Sequence, residues 1–230
     1  MTLSTPAPPI AADRGLLDGL SGLVTGSGPI GVATARALAS AGCSVAFAGP
    51  DDLALLRTAR AIEASGGRAV PLPGDPCDPQ AIRRAVAGAG ETFGSLDLAV
   101  NTIGAVDDTR RAPDATCRAV YTAIGSEIPA IRAAGGGAIV NAAASPLGRH
   151  AEDAQCIIGL SRAAALDELD GGVRVNALVS GDGTPADFAA LAVWLCSPRS
   201  AHVTGAAVPV GPRPATGRQA TQPGRTSPYS

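Results

Sequence analysis

The chain has 230 residues, a net charge of -2, 46% apolar residues and only 3% aromatic ones, so it suits one α/β domain with a core of Ala, Val, Leu and Ile. With no basic cluster it lacks the electrostatic footprint of a nucleic-acid binder, and no run approaches the ~18 apolar residues of a membrane span. Residues 1 to 12 hold no basic start followed by an apolar run, and the expectation is a cytoplasmic protein with no nucleic-acid and no membrane partner.

Residues 1–18, with Pro6, Pro8 and Pro9, read as a disordered tail before a domain over 19–211. A strand over Leu20–Thr25 leads into Thr25-Gly26-Ser27-Gly28-Pro29-Ile30-Gly31 and a helix over Ile30–Ala41. Glycines between a strand and a helix permit a tight turn and bring backbone N–H groups close to a pyrophosphate, so Gly26, Gly28 and Gly31 are candidate dinucleotide contacts. Pro29 has two readings: it removes a phosphate donor, or it simply starts the helix at its first position.

A second strand, Ser44–Ala48, ends at Gly49-Pro50-Asp51-Asp52 before a helix over Asp52–Ser65. Asp51 either accepts from a ribose hydroxyl or caps the helix, and both acids oppose a 2′-phosphate, so NAD is favoured over NADP. Next come a strand at Ala69–Pro73, a helix at Pro79–Phe93, a strand at Leu96–Asn101 and a helix at Asp114–Ala134. The rest alternates likewise: Ala138–Asn141, a helix over Ala151–Leu169, Val173–Leu178, a helix over Pro185–Leu195, then Ala207–Val210 and a second disordered tail, 212–230. This is a doubly wound, parallel, seven-stranded sheet whose ligands belong at the carboxyl ends of the strands. Cys43, Cys77, Cys117, Cys156 and Cys196 are widely spaced, odd in number and without a CxxC pair; they read as small core residues in a reducing compartment, and no metal site is expected.

Besides the glycine loop, five motifs, in order, resemble those of the short-chain dehydrogenase/reductase family, a Rossmann-type family: Gly74-Asp75-Pro76-Cys77-Asp78, Asn101-Thr102-Ile103-Gly104, Gly137-Ala138-Ile139-Val140-Asn141, Arg174-Val175-Asn176 with Ser180-Gly181, and Val203-Thr204-Gly205. The resemblance implies that Asp75 faces adenine and that Asn101 belongs to the cofactor site. It also implies catalysis by Y-x-x-x-K, in which Tyr moves the proton and Lys lowers its pKa and holds the nicotinamide ribose. This chain departs there: all 18 basic residues are Arg and none is Lys. One gapless alignment puts His150 at the Tyr position and Ala154 at the Lys position; another puts Ile158 and Arg162 there. The family's supporting Asn falls at Thr116 and its catalytic Ser at Ala144 or Ser145.

The segments after Gly104, Ser145 and Gly181 are shorter than the family's, while the helices beside them keep their length. The expectation is therefore a catalytically silent scaffold or partner subunit, homo-oligomeric or paired with an intact family member through the helices Asp114–Ala134 and Ala151–Leu169. Two alternatives stand beside it: an enzyme of non-standard chemistry using His150 with Ser145, and a dinucleotide sensor. Any cofactor binding is expected to be weak.

Overall fold

The structure is a computed structural model that describes residues 15–103, 114–143 and 151–211. Seven strands form one parallel sheet: β1 (Ser21–Thr25), β2 (Ser44–Gly49), β3 (Ala69–Pro73), β4 (Leu98–Asn101), β5 (Gly137–Ala143), β6 (Val173–Ser180) and β7 (Ala207–Val210), in the order β3-β2-β1-β4-β5-β6-β7. Between them run α1 (Pro29–Ser40), α2 (Asp52–Ala64), α3 (Pro79–Phe93), α4 (Ala115–Ala133), α5 (Ala151–Asp167) and α6 (Pro185–Cys196). The prolines within strands fall in β3 and β7, the two edges, where a missing N–H breaks no ladder.

Alternation along each strand divides the core. Val24, Val45, Phe47, Val100, Val140 and Leu178 pack against α1, α2 and α6, while Leu23, Ala46, Ala99, Ile139 and Val175 face α3, α4 and α5. Strand order reverses between β1 and β4, so the switch point lies where Thr25 and Asn101 stand opposite each other.

Two expectations need correction. The N-terminal tail does not extend to residue 18: Leu17 is fully buried and its N–H donates to the Ala41 carbonyl at 2.8 Å. An anchor of this kind is worth roughly 2 kcal/mol, and it went unread because the residues before it are rich in proline. The cysteines are also not all small core residues. Cys43 and Cys196 are buried, but Cys117 of α4 and Cys156 of α5, with Cα atoms 6.1 Å apart, are paired as a disulfide, because the two helices that carry them are neighbours in space.

Candidate functional site

The glycine loop is shaped by close packing. Gly26 has φ +104, a left-handed conformation that favours glycine, and its N–H donates to Ala48 O at 2.8 Å. A Cβ on Gly31 would run into the Gly26 carbonyl, so helix and strand meet closer than any side chain permits. Thr102 props the turn from below, its hydroxyl donating to Thr25 O at 2.9 Å and Gly26 O at 3.1 Å. Gly28 is the N-cap of α1 with no side-chain cap, and Pro29 occupies the first helical position. Pro29 therefore starts the helix, and the N–H groups of Ile30 and Gly31 lie in the first turn, where no intrahelical acceptor exists. This cradle fits the pyrophosphate of a dinucleotide.

Asp51 is committed differently. It caps α2, with Oδ1 accepting from the Ala54 N–H at 3.0 Å, and its own N–H donates to the Ser27 hydroxyl at 3.2 Å, tying the glycine loop to the end of β2. One carboxylate oxygen is left for a ribose. Asp75 is exposed and folds its own turn, accepting from Cys77 N at 2.9 Å, while Asp78 caps α3 by accepting from Gln80 N.

Asn101 was expected to belong to the cofactor site, and the structure places its side chain in the core. Its side chain is fully buried, donates to Glu127 Oε2 at 3.0 Å and to Asn141 Oδ1 at 2.9 Å, and accepts from the Thr25 hydroxyl. Register places Thr25, Asn101 and Asn141 opposite one another on adjacent strands, so they form one polar row on the face covered by α4 and α5. Asn141 continues it, donating to the Ser161 hydroxyl of α5 at 3.0 Å, which in turn donates to Ile157 O. The amide of Asn101 thus joins three strands to α4 inside the core, and Asn141 carries the network on to α5.

Glu127, from α4, is a charged member of this network that local sequence reasoning did not single out. It is fully buried, and its Oε1 has no hydrogen-bond partner among the described residues. Burial pushes its carboxyl up to about 7, against a smaller downward pull from the Asn101 hydrogen bond. An acid among the apolar residues of α4 was a visible signal, but only the fold reveals that it points inward.

Ser145, His150 and Ala144 lie outside the described residues. Ala154 is fully buried in an apolar cluster with Val120, Ala123 and Ile157, whereas Arg162 is exposed and Ile158 only partly buried. Thr116 is buried in the first turn of α4. Of the chain's two tyrosines, Tyr121 lies on the outward face of α4, 67% exposed. A cavity of about 950 Å³, lined by Asp18, Arg36, Ser44 and Arg68 among others, opens at the amino-terminal edge of the sheet, opposite the glycine loop. Among the described residues no cluster of His, Cys, Asp or Glu could hold a metal ion, and no helix is long and apolar enough to cross a membrane.

Comparison with known proteins agrees with this architecture. A family model described as Enoyl-(Acyl carrier protein) reductase matches residues 24–182. The chain is 34% identical over 178 residues to a cyclohexanol dehydrogenase of an Acinetobacter strain, covering 69% of this chain and 71% of that protein. It is 30% identical over 237 residues to an uncharacterized oxidoreductase of Mycobacterium tuberculosis, covering 82% and 89%. The crystal structure of a short chain dehydrogenase from Mycobacterium smegmatis superposes with a TM-score of 0.80 at 28% identity, covering 93% of this chain and all of the other.

Proposed function

The chain belongs to the short-chain dehydrogenase/reductase family of oxidoreductases, and from that premise we propose that it is a catalytically silent member serving as a scaffold or partner subunit in an assembly with itself or with an intact family member. One observation carries this reading: the chain has no Lys to hold a nicotinamide ribose, and among the described residues the one tyrosine, Tyr121, lies on an outward helix face away from the carboxyl ends of the strands. The buried methyl of Ala154, at one of the two candidate Lys positions, supports it.

A nicotinamide dinucleotide, when bound, supplies or accepts a hydride. Here Gly26, Gly28 and Gly31 would hold its pyrophosphate and the free oxygen of Asp51 a ribose hydroxyl. Pro29 subtracts one donor, and Asp51 and Asp52 oppose a 2′-phosphate, so binding is weak and favours NAD over NADP. The intact glycine cradle also supports a second reading, a dinucleotide sensor that reports through a partner.

The test is absorbance at the nicotinamide band with a broad panel of alcohols and carbonyls, run beside calorimetric titration of NAD and NADP. The silent reading expects no turnover. Turnover abolished by His150→Ala would replace it with an enzyme using His150 and Ser145. Co-purification of an intact family member with the tagged chain supports the partner role, and a monomer that retains none removes it.

A further inference from the structure

Helices α4 and α5 lie side by side over the buried row of Thr25, Asn101 and Asn141, and they are joined at both ends. At the carboxyl end of α4, Arg132 forks onto Glu168 just beyond α5, its Nε and Nη2 donating at 2.8 and 2.6 Å to a carboxylate that is almost fully buried. At the amino ends, Cys117 in the first turn of α4 meets Cys156 near the start of α5. Cys117 and Arg132 are about 22 Å apart along the helix. Between the two joints the contact is made by small or branched apolar side chains, including Ala119, Val120, Ala123 and Ile157.

Apart from the half-buried Cys77, the chain's cysteines divide into two chemical kinds. Cys43 and Cys196 are sealed in the core, where burial pushes both thiols up, Cys196 to about 12, leaving almost no thiolate to react. Cys117 and Cys156 are only half-buried and sit at a separation that matches a disulfide, with Cα atoms 6.1 Å apart.

We propose that Cys117 and Cys156 are a reversible redox pair, a modification site through which the state of surrounding thiols locks or releases the amino ends of α4 and α5. In the locking direction the Cys117 thiolate attacks one sulfur of a small-molecule disulfide and displaces its other half as a thiolate. The Cys156 thiolate then attacks the Cys117 sulfur of the mixed disulfide and expels the second half. Two protein thiols give up two protons and two electrons, and one small disulfide becomes two small thiols. A dithiol reverses the steps. The Arg132–Glu168 pair holds the other ends in both states, so release loosens one end of the helix pair and leaves the sheet intact.

The test uses the whole chain equilibrated in glutathione/glutathione-disulfide mixtures, with maleimide labelling read by peptide mass and thermal melting read in parallel. Cys117 and Cys156 should lose reactivity together, at one midpoint, and regain it on addition of dithiothreitol to the folded protein. The locked form should melt about 10 °C higher, and Cys117→Ser should abolish both that difference and the protection of Cys156. Cys43→Ala should leave the midpoint unchanged. Reactivity of both thiols in every mixture, a bond formed between chains instead of within one, a bond that dithiothreitol opens only after unfolding, or equal melting of the two forms would each overturn the proposal. The melting comparison needs no variant, so it stands even if a substitution impairs folding.

Discussion

Glu127 is an acid held where water does not reach, and its hydrogen-bonding neighbours are neutral. Its folded form takes up a proton up to about pH 7, while in the unfolded chain it ionises in the ordinary carboxylate range. Between those limits the folded state binds more protons, so stability is fully expressed below the unfolded range and is lost as pH rises through about 7. The loss is on the order of 3 kcal/mol for a fully buried group, at about 1.36 kcal/mol per pH unit. Glu127→Gln keeps an acceptor for Asn101 and cannot ionise. The difference in urea midpoint between variant and parent should grow in the variant's favour from pH 5 to pH 9, and a constant difference would contradict the assignment. The same network shows what local reading reaches. The motif beginning at Asn101 was visible because its residues are adjacent, but its amide partners lie 26 and 40 residues away, and no spacing rule connects them.

At the scale of elements, the strand and helix order was legible because apolar runs and cap signals recur along the chain. Asp51, Asp78 and Thr184 cap α2, α3 and α6, and Thr184 and Asp187 form a reciprocal capping box. Boundaries shifted where tertiary pairing decided them: β5 continues past Asn141 to Ala143 because β6 runs beside it, pairing Ala142 with Leu178 and Ala143 with Val179. Joints between elements were invisible, since Arg132 and Glu168 are 36 residues apart and Cys117 and Cys156 are 39 apart. The ion pair yields a direct prediction. Arg132→Met keeps the apolar stem but leaves Glu168 buried without its cation, and should destabilise the protein by about 2 kcal/mol, less than a fully buried pair because Arg132 is half-exposed. Chemical denaturation measures this, and no change would mean that water already satisfies Glu168.

On the outside of the molecule, Tyr121 of α4, Ala163 and Leu166 of α5, and Leu169 in the turn after α5 are all exposed. Exposed apolar side chains of this kind can be buried where helices of two subunits pack together. Under the partner-subunit reading, Leu166→Arg should shift the protein from dimer or tetramer toward monomer in light scattering while its melting temperature changes by only a few degrees. An unchanged mass would move the interface elsewhere.

The paired cysteines also alter how the chain would respond to being pulled. The bond between Cys117 and Cys156 closes a ring across 39 positions that contains most of α4 and the whole of β5, near the centre of the sheet. A stretching force applied at the termini travels through the bond and bypasses that ring. The locked chain therefore withholds about 130 Å of contour length, at roughly 3.5 Å per residue, which the reduced chain surrenders. Mechanically, the molecule is a shorter thread when oxidised, and one strand near the middle of its sheet is never drawn out.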